Sequence, residues 1–579
     1  MKAALRLLLA PYRFSVDRLF RMGQDIGWHW QFDDPLKRVG IPYEWVDTAG
    51  TTPTTAVGQG IGLLLGREYG GATGPSLLAN GATGLTGTAT AASYNTSTFA
   101  GSVSRAGDAS NQSWVTWTGL TTSAVHRIRI TNTGATSLDV RNGGVAGTIV
   151  ASIAAGASSW VHPATTGGST SITITATSNS TTATFTLGQF AVLPGTHLTQ
   201  ATGTARPTLS ARVNTLLNSE DFSSASWNKS RATVTANAAT APNGTLTADK
   251  IVEDTATNNH RVFQAVTKSA AVASAWVFSV SLKAAERGFA TVKMSDNFEG
   301  DQGEVGINLS TGEVSAFVGT FTNMSVTVVD EGNGWWRVKF TATCDTDSQV
   351  VAWVQIANAL GTSVAYTGDG TSGIYAWGAD LRTADDAAKN IPVYQRVGAT
   401  AADHDTDGFP HGQYPDGTDD NQTTTTGGGG TTGFFYCGAI TVSGGAGTAR
   451  TIWSDTGTNT GYRVRVNSSN KLELAAGNGS AYTTVQSNET ITAPGTYLLS
   501  AWDDGGVLAV QVNNLAPATT TRPTVSAGTS TITVYKDNGA ASSYFNGRDY
   551  GSVYAQRYIG ETAHNRLKRY LANVARITV

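Results

Sequence analysis

The sequence predicts an all-β protein, in which an N-terminal mixed segment is followed by three antiparallel β-sandwich modules in series. Three observations predict it. First, charged residues make up only 14% of the 579 residues, while Gly (66), Thr, Ser and Ala dominate; this composition favours short strands and tight turns over long helices. Second, apolar residues recur with period two. His126, Ile128 and Ile130 alternate with Arg127 and Arg129, and Ile172 and Ile174 alternate with Thr173 and Thr175. Such alternation gives one buried and one wet face, which antiparallel sheets allow. Third, Gly/Asn/Thr turns separate the runs, as in sandwiches.

A chain of this length exceeds a single core and divides into about three to five units. Residues 1–70 hold the Leu/Arg-rich text and the aromatics Trp28, Trp30 and Trp45, and are read as an anchoring or assembly segment. Strand text fills 71–198, 214–392 and 416–579, with linker-like stretches at 199–213 and 393–415. A closing helix is expected from Glu561 to about Leu571, then a strand over Ala572–Val579. Residues 1–22 resemble a secretory signal superficially. However, Arg6 interrupts the apolar run and Pro11-Tyr12-Arg13 stands at the cleavage position, so an amphipathic docking segment is expected instead. No stretch approaches the ~20 apolar residues that span a bilayer, so no membrane insertion is expected. Cys344 and Cys437 fall in different modules and are read as two buried thiols, although sequence alone leaves a bridge open.

The net charge of −3 argues against nucleic acid as a partner, because a broad phosphate footprint needs a dense field of Lys and Arg. Catalytic text is missing as well: there is no H-E-x-x-H, no G-x-S-x-G and no P-loop. Asp330 and Glu331 are sequence neighbours before Gly332 and read as a solvated turn, not as two carboxylates facing each other across a glycosidic bond. The expectation is a non-enzymatic protein.

Sugar binding asks for an aromatic face against the pyranose C–H patch and nearby polar groups for its hydroxyls. In 335–340 the alternation puts Trp336, Val338 and Phe340 on the apolar face, and Trp335 on the other face with Arg337 and Lys339. In 350–356 the apolar phase is Val350, Ala352, Val354 and Ile356, which turns Trp353 outward with Gln355. Trp335, Arg337, Trp353 and Gln355 are therefore the candidate carbohydrate-binding residues. The competing reading places the two indoles under a neighbouring loop or against another module or subunit. Trp276, in phase with Phe278, Val280 and Leu282, is core; Trp114 and Trp117 lie on opposite phases. The basic closing helix, with His564, Arg566, Lys568 and Arg569, reads as a solvated face opposite Leu567, Tyr570 and Leu571. Asp403-His404-Asp405-Thr406-Asp407-Gly408 begins like an EF-hand loop, but Tyr414 stands where the bidentate Glu belongs.

Several segments resemble multidomain virion proteins of tailed phages and prophages. Trp45-Val46-Asp47-Thr48-Ala49-Gly50-Thr51-Thr52-Pro53 through Gly62 is similar to their N-terminal segment. Leu193-Pro194-Gly195-Thr196-His197 through Arg206-Pro207-Thr208-Leu209 is similar to their connector. Asn218-Ser219-Glu220-Asp221-Phe222 with Trp227, Gly332-Asn333-Gly334-Trp335-Trp336-Arg337 and 366–375 resemble a phage carbohydrate-binding-like sandwich. Asp405-Thr406-Asp407-Gly408-Phe409-Pro410 leading to Asp416-Gly417-Thr418-Asp419-Asp420 resembles the lead-in to a laminin-G/concanavalin-like sandwich. Tyr414-Pro415 departs from that family, which has a Phe there.

The resemblance implies a tail-fibre-like appendage on the virion surface, assembled in the host cytoplasm and binding host-surface glycan beside other phage structural proteins. Weak single sites would gain by avidity in a homo-oligomer, with a trimer as the working guess. The alternatives are a structural virion protein, such as a head fibre or a capsid or tail decoration, and a polysaccharide-degrading spike. A laminin-G-like module also leaves a Ca²⁺ site at Asp416, Asp419 or Asp420 open; otherwise no cofactor is expected.

Overall fold

A computed structural model of the chain describes residues 202–578 apart from 269–270, 297–299, 362–364, 425–429, 445–446, 530 and 539–542. Before residue 202 it describes the strand segments named below and the short turns beside some of them. The expected docking segment, 1–22, lies outside the described residues.

The protein is all-β: strands make up 50% and helices 5%, and the ladders are antiparallel. In the first module one sheet comprises Val115–Trp117, Leu138–Asn142, Thr148–Ile153 and Ile172–Ala176. The other comprises Ser93–Asn95, Ala100–Arg105, Val125–Asn132, Ser158–Val161 and Thr181–Leu193. Ile130, Leu138, Val140, Ile153 and Ile174 are buried, as period two requires. The side chains of His126, Trp114 and Trp117 lie outside the described residues.

The second module is two six-stranded sheets around one core. Its alternation is strict. Phe278, Val280 and Leu282 of strand Ser274–Ala284 stand opposite Phe340, Val338 and Trp336 of strand Trp335–Cys344, and all of them join the core. Strands Thr322–Gly332 and Trp335–Cys344 are joined at Asn333 (φ 55°) and Gly334 (φ 81°). These are the two positive-φ positions of a tight hairpin turn, for which Asn-Gly is the preferred pair. Cys344 ends the second strand inside this core, and Cys437 lies in the third module; both thiols are free and buried.

The third module is two large sheets enclosing Phe434, Tyr436, Trp453, Tyr462 and Tyr554. It does not stand apart from the chain before it. Thr208–Ser210 pairs with Gly412–Tyr414, and Leu198–Thr199 bridges Leu63–Leu64 to Gln422–Thr424. The stretches read as linkers thus contribute strands, because Leu209 is fully buried in the third core. Gly27–Gln31, which carries Trp28 and Trp30, pairs along Gly547–Ala555, and Glu44–Trp45 pairs with Leu63–Leu64. Trp28, Trp30 and Trp45, expected to anchor the chain, therefore lie on strands attached to the C-terminal sandwich; their side chains are outside the described residues.

The closing helix runs Glu561–Val574, and no strand follows at 572–578. His564, Leu567, Lys568, Leu571, Ala572 and Ala575 are buried at helical spacing, so the apolar stripe continues past the expected stop. This corrects the solvated-face reading of His564 and Lys568. His564 Nε2 lies 2.8 Å from Ser500 Oγ, and Lys568 Nζ donates to Gln511 Oε1 at 2.9 Å. Arg566 and Arg569 remain exposed.

Candidate functional site

The expected phase of Trp335 and Trp353 is right: neither belongs to the core between the sheets of the second module. Their expected accessibility is wrong, since both are 1% exposed. Trp335 packs with Trp377, Ala241 and Ala248, and its Nε1 donates to Thr240 O at 3.1 Å, so the chain around 239–248 folds over that end of the sheet. Trp353 packs against its cross-strand neighbour Phe263, with ring centroids 4.0 Å apart and the planes tilted by 30°. The Arg261 guanidinium lies 4.6 Å above the indole, whose Nε1 donates to Ser295 Oγ at 2.8 Å. Gln355 is buried on the same face, 3.4 Å from Asn259 Oδ1. These indoles are not ligand platforms; each is covered by its own module.

Arg337 leads elsewhere. It lies on the outer face of the sheet built from Ser274–Ala284, Thr322–Gly332, Trp335–Cys344 and Gly373–Thr383. Cross-strand register sets Val329, Arg337 and Ser281 in one row, and Thr327, Lys339, Ser279 and Asp380 in the next. Residues 387–393 rise along one side. Between them lies a cavity of about 200 Å³ whose walls include Val277, Val329, Pro392, Val393, Glu331 and Arg337.

Most ionic groups here are committed to the protein. Arg337 is buried; it donates to Ser279 Oγ (2.8 Å) and Ser281 Oγ (3.2 Å), and to Gly378 O (2.6 Å). Gly378 adopts φ +62° at an irregularity in the strand pairing, a left-handed conformation that glycine tolerates. Burial pushes the Arg337 guanidinium below its ordinary value. Asp380 pairs with Arg382, and Ser281 Oγ donates to Glu331 at 2.6 Å. Glu331 therefore belongs to the groove and not to the solvated turn expected of it. Lys339 is half-buried and Thr327 exposed. Val329 and Val393 are 52% and 72% exposed, which leaves apolar surface on a polar wall. The groove can thus offer Lys339 Nζ and the Thr327 hydroxyl to a ligand beside an aliphatic patch.

The acidic triplet expected for Ca²⁺ is brought together: carboxylate oxygens of Asp416, Asp419 and Asp420 lie within 4.8 Å of one another. Such all-oxygen donors suit a hard cation. The turn itself also employs them. Asp416 Oδ1 accepts from Thr418 N (2.7 Å), and Asp420 Oδ2 accepts from Asp416 N (2.9 Å). Burial, with the charges of Asp416 and Asp419, pushes the Asp420 carboxyl up to about 7. The EF-hand-like stretch is explained by ion pairing, since Asp403 and Asp405 both meet Arg396, at 2.8 and 3.2 Å.

No family model matches the sequence, and no curated protein matches it. Among solved structures, domains LG4-5 of the mouse laminin alpha1 chain align over 51% of this chain and 86% of theirs, at 12% identity and TM-score 0.21. A carbohydrate-binding module, CBM66, from Bacillus subtilis aligns over 25% and 82%, at 15% identity and TM-score 0.17. A tail fiber protein from an E. coli phage aligns over 60% and 41%, at 12% identity and TM-score 0.17. Superpositions this loose assign neither function nor detailed topology. Among the described residues no helix is long and apolar enough to cross a membrane.

Proposed function

We propose that this chain is a non-catalytic binding protein whose second sandwich holds a carbohydrate in the groove beside Lys339. The observation that carries the reading is that aliphatic surface from Val329 and Val393 stands exposed next to Lys339 Nζ and Thr327. A sugar presents the same mixture of apolar C–H patch and hydroxyl groups. No aromatic platform is among the named groove walls, and the cavity is small, so each contact is weak. A fibre-like protein displaying several copies fits such a site, because effective concentration multiplies weak affinities. The virion-appendage part of the reading is supported by the sequence resemblance at 45–62, 193–209 and 405–420. Host-surface glycan is the natural ligand class for such an appendage.

A glycan array probed with the full chain and with Lys339→Ala tests this. Retention of a glycan by the natural chain and its loss in the variant, at unchanged melting temperature, is the expected result. Retention of no glycan by the natural chain, or equal retention by both proteins, would sink the proposal. The exposed Val329 and Val393 favour a second reading, contact with another virion protein; it gains if the array is blank and the chain co-purifies with particles.

A further inference from the structure

The second module carries another carboxylate cluster, distinct from the groove. Asp296 follows strand Phe289–Ser295, and Asp345 and Asp347 follow strand Trp335–Cys344. One carboxylate oxygen from each lies within 4.8 Å of the others. Two oxygens that share an ion at about 2.4 Å can be no farther apart than about 4.8 Å, so the three fit on one coordination sphere.

A cluster of acids alone has an ordinary explanation in turn-making, and part of it holds here: Asp347 N donates to Asp345 Oδ1 at 3.0 Å. Asp296 is different. It is 1% exposed, and its Oδ1 receives no hydrogen bond among the described residues. Asp296 N is bonded to Asp301 O at 3.0 Å, and a methyl placed on Gly300 would fall 2.8 Å from Oδ1. The neighbouring cation does not relieve it. Lys268 Nζ donates to the backbone carbonyls of Val272 (3.0 Å) and Asp345 (2.6 Å). Asp301 also lies beside Asp345, so the carboxylates here outnumber the single ammonium. A buried carboxylate oxygen with no donor is costly unless a proton or a cation takes that place.

We propose that Asp296, Asp345 and Asp347 bind a hard divalent cation, Ca²⁺ by ligand type, which pins the two strand ends together. Oxygen-only donors on two adjoining turns, one of them buried, match the flexible coordination Ca²⁺ accepts. The site stands whether or not the groove binds sugar.

The test uses the full chain stripped with EDTA at mildly alkaline pH, where carboxylates are ordinarily ionised. Ca²⁺ is then added to about 1 mM, the range of extracellular modules, while heat unfolding and calorimetric binding are followed. Ca²⁺ should raise the melting temperature by several degrees. Asp416→Asn, which alters the other acidic turn, should keep that response. Asp296→Asn and Asp345→Asn should each weaken binding by roughly tenfold or more. In EDTA, Asp296→Asn should melt no lower than the natural chain, because it removes like-charge repulsion; this separates lost binding from lost folding. The proposal is overturned if the natural chain ignores Ca²⁺, if Asp296→Asn and Asp345→Asn respond like the natural chain, or if Asp416→Asn alone abolishes the response.

Discussion

Lys389 Nζ, just beyond the second sandwich, lies 3.0 Å from the hydroxyl of Tyr550 in the third. The same ammonium reaches Asp386 Oδ1 at 2.5 Å and Asp385 Oδ2 at 3.2 Å. Arg548 of the third sandwich lies 3.4 Å from Asp386 Oδ1 and donates to Tyr550 at 2.8 Å. Thr496 Oγ1 adds a bond to Asp385 Oδ2 at 2.6 Å. The joint between the two modules is thus a buried, hydrogen-bonded ion cluster and not a flexible tether.

Removing one partner should strand the others. Lys389→Ala leaves Asp386 facing burial with less compensation, and such a break costs about 3–5 kcal/mol. Differential scanning calorimetry should show the transition of the joined modules move down or split. An unchanged thermogram would mean that the cluster does not couple them.

The same joint predicts an acid limit. Burial pushes the Asp386 carboxyl up, but the charges of Lys389 and Arg548 outweigh it and hold the group at about 2. Its unfolded counterpart titrates at about 4. Between these values the unfolded chain binds more protons, so stability falls with falling pH there. The contribution is fully present above about pH 4 and lost as pH drops through 2. Denaturation curves of the natural chain and Asp386→Asn should converge toward the acid end of that window.

Trp353→Ala and Trp335→Ala should act as core truncations, each destabilising by about 3–5 kcal/mol, because both indoles are buried and hydrogen-bonded. Urea unfolding measures this. A variant that kept full stability yet lost glycan binding would reinstate that indole as a platform.

Deleting residues 1–31 should expose a sheet edge. Gly27–Gln31 covers Gly551–Ala555, and an uncovered edge is a template for pairing with other chains. Faster amide exchange at 551–555 and a rise in light scattering are expected. Unchanged exchange would show that the N-terminal strand does not protect that edge.

Burial pushes the Cys344 and Cys437 thiols up to about 12. Neither should react with a thiol reagent in the native protein, and both should react in denaturant.

Sequence alone determined the all-β class and the facing of individual side chains, because pleating alternates sides at every step and that rule is local. It placed Trp276 in the core and Trp335, Arg337 and Lys339 on the opposite face. The closing helix was legible in its start at Glu561, but its continuation to Val574 in place of the strand expected over Ala572–Val579 was not. Tertiary structure decided what covers a face. The chain around Thr240 closes over Trp335, while residues 387–393 turn the face around Arg337 into a groove. It also decided that Asp296 meets Asp345 and Asp347, and that Gly27–Gln31 joins a strand more than 500 residues later. Alternation fixes direction within a strand. Contact between distant segments depends on how whole sheets stack, and no local period encodes that.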